Sequence, residues 1–317
     1  MPYRIDATRN LDGVIDPRHR PARPRPEAAP APAEPDYSDP TMPPPTPRRL
    51  ASAAVVVWVL LVTCGILFGA GLDRLVFTAG IAGLQVLTVV GYVLHRRPPG
   101  PFVVAGAGLV AALGADLVML YTDPFDPGGL VYVLAGAFGV AVIGQFFRGE
   151  AREKLTVSMG AAAYLAVLAA AYSGFIGLLR HPGGQAALWT CVIAAGTAVM
   201  TARAIDLTIP KPRINRQVPR GAFGVVIGGM VGTAAAAYAG VLLDGPTPDK
   251  AAMGGLVIGL VAVLGDLSAG YSHAGRRIDG DGVAPWPVRH GLGPLLAFAT
   301  VAPVVYLLSV YYIVRGL

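Results

Sequence analysis

An all-α polytopic integral membrane protein is the fold class this sequence predicts, on three observations. Hydrophobic residues make up 54% of the 317 and charged residues only 14%, against about a quarter charged in an ordinary soluble domain, and the mean hydropathy is +0.57. Nine apolar runs, near 50–70, 75–94, 101–121, 129–147, 155–179, 186–203, 222–243, 251–270 and 293–314, each have the roughly 17–25 residues needed to cross a hydrocarbon core. The runs are continuously apolar, whereas barrel strands alternate over about ten residues. They therefore read as helices, and small residues such as Gly228-Gly229-Met230-Val231-Gly232 allow close helix approach.

Charge sets the expected orientation. With the N-terminus in the cytoplasm, 21 of the 25 Lys and Arg fall on the cytoplasmic side and only Arg74, Arg180, Lys250 and Arg315 outside, as the positive-inside rule requires. Losing one middle span would invert the later basic loops, so the count supports nine spans, N-in and C-out, in the cell membrane. The net charge of +6 and pI near 9.5 sit in membrane-flanking loops and point to anionic lipid headgroups rather than nucleic acid. Cys64 and Cys191 lie inside spans, which argues against a disulfide framework or a zinc site.

Residues 48–317 form the transmembrane domain, and residues 1–47 stand apart. Between 21 and 47 there are 11 prolines in 27 residues, a composition that cannot bury a core and predicts a disordered, partly polyproline-II cytoplasmic tail. Its run Pro43-Pro44-Pro45-Thr46-Pro47 reads as an extended spacer or as a docking motif for a proline-reading partner.

Polar chemistry concentrates in two loops of the last third, 203–220 and 270–292, joined through a helical hairpin whose external turn is 244–250. The hairpin brings both loops to one cytosol-facing polar pocket. Arg213, Arg216 and Arg220 come from the first loop, and Arg276, Arg277, Asp279, Asp281 and His290 from the second, with Asp266 at the end of the preceding span. Arg groups neutralise phosphate oxygens and carboxylates hold Mg²⁺, so the set suits a phosphate-bearing nucleotide with a divalent metal.

The order Leu178-Leu179-Arg180, Val218-Pro219-Arg220, Ile227-Gly228-Gly229, Gly265-Asp266-Leu267-Ser268 and His290-Gly291 resembles phosphatidate cytidylyltransferase, the CDP-diacylglycerol synthase. The likeness lies in the part from about 180 to 317, with motif residues ending near 298. It implies an enzyme of phospholipid biosynthesis, with phosphatidate attacking the α-phosphorus of CTP and pyrophosphate leaving with help from Mg²⁺. Carried over, Asp266, Asp279 and Asp281 would hold metal, with Asp266 and Asp281 catalytic. Arg213, Arg216, Arg220, Arg276, Arg277 and His290 would take the nucleotide phosphates. A homodimer is also plausible for such a fold. Several motif residues differ here: the Ser-Pro-x-Lys-Thr element falls on Val218-Pro219-Arg220-Gly221-Ala222, and the Asp-Arg-x-Asp element on Leu295-Leu296-Ala297-Phe298.

Those departures keep three readings open: an active CTP-dependent nucleotidyltransferase, a non-catalytic lipid-binding relative, and a small-molecule transporter. Asp266 is either a metal ligand or an interfacial acid paired with Arg276 or Arg277, and Asp279 and Asp281 either ligands or Asx-turn residues. His290 is either a phosphate contact or a cap on the final helix, and Arg213, Arg216 and Arg220 either nucleotide or lipid-headgroup ligands. Within the spans, Asp116 is placed to reach the external interface and Gln85 to bind helices together.

Overall fold

The computed structural model describes residues 49–123, 126–148, 154–215, 217–243, 245–278, 280 and 284–314. The proline-rich tail, Arg216, Asp279 and Asp281 lie outside them. Among the described residues nine helices are long and apolar enough to cross a membrane. The chain is α1 (Arg49–Gly69), α2 (Arg74–Arg96), α3 (Pro101–Tyr121), α4 (Gly129–Phe146), α5 (Leu155–Ala171) with the short α6 (Ser173–Leu178), α7 (Gly184–Thr208), β1 (Arg213–Asn215), β2 (Val218–Gly221), α8 (Ala222–Leu242), α9 (Pro248–Ile278) and α10 (Trp286–Val314). Helices α5 and α6 together make one span.

Local chemistry explains several boundaries. Asp73 caps α2, its Oδ1 accepting from the Leu75 amide at 2.8 Å. Gly100, with φ of 68°, precedes Pro101 at the start of α3, the residue order that suits a helix N-terminus. At the far end of α3, Arg180 Nη1 donates to the carbonyls of Met119, at 3.0 Å, and Thr122, supplying partners to terminal acceptors that the helix leaves unmet. Gln185 and Trp189 of α7 do the same for α1, donating to Ala70 O at 3.1 Å and Leu67 O at 3.0 Å.

The last third packs through backbone contact. Gly224, Gly228 and Gly232 repeat every four residues along one face of α8, against Ala202, Ala198 and Ala194 of α7. A methyl group at Gly228 would stand 2.6 Å from Ala198 O, and one at Gly232 2.9 Å from Ala194 O. Gly255 and Gly259 of α9 close on the same seam, against Ala236 and Ala198. Lipid supplies no hydrophobic force between helices, so this van der Waals contact holds the trio together. Nearer the N-terminus α2, α3 and α5 share a polar pin: Gln85 Nε2 donates to Asp116 Oδ1 at 2.8 Å and to Ala169 O at 3.1 Å. Asp116 is thus buried against α2 rather than placed at the external interface.

The region expected as a long loop, 270–292, is mostly helix. Helix α9 runs 31 residues to Ile278, about 46 Å, and so exceeds the roughly 30 Å hydrocarbon core. Hydropathy marks where the apolar run ends, whereas Ala274 and Arg276-Arg277 are good helix formers that carry the helix onward, with Ala274 and Arg276 buried against neighbouring elements. Helix α10 begins seven residues before the apolar run that announced it. It contains Pro294 and Pro303 in its interior, and two neighbouring side chains donate to carbonyls near Pro294: Trp58 to Gly291 O at 3.2 Å and Tyr172 to Leu295 O at 2.6 Å.

Candidate functional site

Arg203 and Asp206 lie three residues apart near the end of α7, so they share one helix face. The antiparallel β1–β2 hairpin then turns the chain back, with Arg213 opposite Gly221. Within β2 the side chains of Val218 and Arg220 are buried while Pro219 is exposed, the period-two alternation of a strand. That alternation aims Arg220 at α7 and α9. Asp266 comes from α9 and is fully buried. Room for it depends on α10 having glycine at 293, since a Cβ there would collide with Asp266 Oδ1.

The four charges interlock. Arg203 grips Asp266 with two hydrogen bonds, Nε to Oδ2 at 2.8 Å and Nη2 to Oδ1 at 2.5 Å. Arg220 bridges both acids, its Nη1 lying 2.9 Å from Asp266 Oδ2 and its Nε 2.9 Å from Asp206 Oδ2. The distances are those of ion pairs, and Nη2 of Arg220 has no hydrogen-bond partner among the described residues. Asp206 Oδ1 accepts from the Gly221 amide at 2.8 Å, which fastens the hairpin to α7. Burial, then the nearby Arg203 charge, pulls the Arg220 guanidinium below its usual pKa, while Asp266 and Asp206 pull it back.

Two guanidinium groups and two carboxylates sum to zero. Both Asp266 oxygens face arginine nitrogens, and among the described residues no three His, Cys, Asp or Glu side chains gather as a metal site. These residues do not fit Mg²⁺: a hard dication seeks uncompensated oxygen ligands, and here the oxygens are already neutralised. The interfacial pairing of Asp266 with Arg276 or Arg277 is likewise replaced, by Arg203 and Arg220. Of the sequence-derived candidates, Asp266 and Arg220 therefore meet, while Asp279, Asp281 and Arg216 lie outside the described residues. Arg213, half-buried, stays on the hairpin.

Arg276 is buried one helical turn past His273 on α9, in electrostatic contact with His95 of α2 and His273 rather than bound to Asp266. His290 is the fifth residue of α10, so it is not the helix cap. Its Nε2 accepts from Arg289 Nε at 3.3 Å, and its ring centroid lies 5.3 Å from that of Trp286. Sequence reading missed the part played by Arg203 and passed over His95 altogether. The i, i+3 spacing of Arg203 and Asp206 near the end of an apolar run was the available signal, because ionisable groups at membrane depth pair with one another.

Compared with protein-family models and with curated proteins, this sequence matches none.

Proposed function

We propose that this chain is a multi-pass protein of the cell membrane, N-terminus cytoplasmic, that binds anionic phospholipid at its cytosolic face without transferring a nucleotide. In this reading it shares the architecture of phosphatidate cytidylyltransferase and has exchanged that family's metal chemistry for an internal salt bridge. The observation that carries it is the charge-balanced set Arg203, Asp206, Arg220 and Asp266. Asp266 is the carboxylate that the resemblance would give to Mg²⁺, and two guanidinium groups occupy its oxygens. A dinuclear phosphoryl-transfer site relies on metals to neutralise charge as pyrophosphate leaves, and a neutral cluster offers them no anchor. The basic groups outside the cluster, among them Arg277 and Arg289, favour a phosphate headgroup at the membrane surface.

The deciding experiment supplies purified full-length protein with CTP, phosphatidate and Mg²⁺. We expect no CDP-diacylglycerol above a membrane blank, together with retention of phosphatidate through purification. Turnover above the blank would overturn this reading and restore the transferase.

A further inference from the structure

At the other end of the helices that carry the ion network, a cavity of about 260 Å³ lies between α7, α8, α9 and α10. The turns leading into α7 and α9 border it through Pro182-Gly183 and Gly245-Pro246, which places it at the end of the bundle. Lys250, in its lining, precedes Asp266 by 16 residues on α9, about 24 Å along the helix. Two adjacent glycines of α9 also line it, for different reasons. A Cβ on Gly255 would stand 2.3 Å from that of Ala236, so packing against α8 demands glycine there, whereas a Cβ on Gly254 would meet nothing within 4 Å. Glycine weakens a helix relative to alanine, and at 254 no neighbour requires it. Its bare backbone leaves open space in the cavity.

The lining is mainly apolar, and three of its polar side chains are satisfied within the wall: Thr190 Oγ1 donates to Ala186 O at 2.9 Å, and Cys191 of α7 hydrogen-bonds with Ser309 of α10. The fourth is Lys250, half-buried and the only charged side chain among the described residues that line the cavity. The neighbouring Asp249 acts on it electrostatically, but that carboxylate is exposed and is engaged by Thr247 and by backbone amides at the start of α9. A cation beside an apolar volume attracts a counter-charge more strongly than it would in water, and an apolar body gains by filling the rest. A cavity of about 150 Å³ accommodates benzene, so in proportion this one suits a ligand of about ten heavy atoms, far less than a diacyl phospholipid. We propose that the α7/α8/α9/α10 cavity binds a small amphiphilic organic acid, its apolar body against Ile258 and Leu308 and its carboxylate on the Lys250 ammonium, which donates charge-assisted hydrogen bonds to it. This goes beyond the phospholipid-binding reading: it is a second site, at the end of the bundle away from Asp266, and in the orientation proposed above it lies on the non-cytoplasmic side.

The probe is octanoate, with octan-1-ol as its uncharged counterpart, titrated calorimetrically into full-length protein in nonionic detergent against protein-free micelles. Wild type should bind octanoate saturably and octanol about tenfold more weakly, as the loss of one charge-assisted hydrogen bond predicts. Lys250→Gln should weaken octanoate about tenfold and leave octanol unchanged, which also shows that the variant folds, and Lys250→Arg should restore most of the affinity. Gly254→Leu, which fills the cavity, should weaken both probes. Octanoate bound equally by wild type, Lys250→Gln and Gly254→Leu, or by none of them, would overturn the site, as would equal binding of the two probes by wild type. Displacement of octanoate by phosphatidate added to the micelles would overturn the small acid as occupant and give the cavity to an acyl chain. These results are separate from CTP turnover, which tests the phospholipid-binding reading, because the cavity lining shares no residue with the Arg203–Asp206–Arg220–Asp266 network.

Discussion

Asp266 shows how one side chain can change meaning with its neighbours. Next to a glycine at the end of an apolar run it reads as a ligand awaiting a cation. Set between Arg203 and Arg220, it is one of four members of an ion network in a low-dielectric interior. Removing one member of a buried pair leaves an uncompensated charge, which typically costs about 3–5 kcal/mol. Asp266→Ala should therefore lower thermal stability in detergent by that order, and pairing it with Arg203→Met should recover part of the loss. A stable single variant would show that the network does not hold the fold. The same argument warns against reading lost activity in Asp266→Ala as lost catalysis. Gln85 and Asp116 pose the question on a smaller scale. Gln85→Leu leaves a buried carboxyl without its donor, and interhelical hydrogen bonds of this sort are worth about 0.6 to 2 kcal/mol. A modest drop in melting midpoint, smaller than for Asp266→Ala, is the expected result.

Among the elements, the seam between α7 and α8 is the one whose chemistry is most restrictive. Glycine at 224, 228 and 232 brings the α8 backbone against carbonyls of α7, where a single added methyl already crowds Ala198 O. A leucine at 228 cannot be absorbed by rotating a neighbour, since the obstacle is backbone. Gly228→Leu should destabilise by about 3 kcal/mol or more, beyond the usual cost of overpacking, and should also loosen Asp206 on α7 and Arg220 on β2, which leads directly into α8. The comparison is Gly254→Leu on α9, where the space beside the glycine is open. Equal thermal midpoints for the two variants would contradict the seam. The β1–β2 hairpin is a smaller device with a sharper role. The buried–exposed–buried order of Val218, Pro219 and Arg220 carries Arg220 inward, and the Gly221 amide ties the strand to Asp206.

Across the whole molecule, the nine helices long enough to span leave the ends of the described chain on opposite sides of the bilayer if each crosses once. The positive-inside rule, applied to the basic connections, predicts that Arg97 and Lys250 face opposite compartments. With Cys64 and Cys191 replaced by alanine, Arg97→Cys should react with an impermeant maleimide only from the cytoplasmic side, and Lys250→Cys only from outside. Labelling of both from one side would remove a span from the count. The same end of the bundle gathers the ion network and the His95–His273 pair. Elements distant in sequence supply the charges and rings: α7, β2 and α9 for the ion network, α2 and α9 for the His95–His273 pair.

The sequence by itself determined the membrane class and the placement of the apolar helices. Transfer of 20-residue segments into lipid is a local property that hydropathy sums directly, so the expected spans and the observed helices agree to within a few residues except where helices continue into water. It also singled out Asp266 and Arg220, which the fold brings together as an ion pair. What only the tertiary structure decided is which charges meet. Arg203 and Arg276 are both arginines within reach of the membrane surface, and no periodicity distinguishes the one that clamps Asp266 from the one that stands beside His95. That choice depends on the α7–α9 distance set by glycine packing and on the missing Cβ at Gly293. Electrostatic partnership falls off over a few ångströms while sequence separation here is 63 residues, so the assignment of Asp266 to an ion pair rather than a metal belongs to the fold.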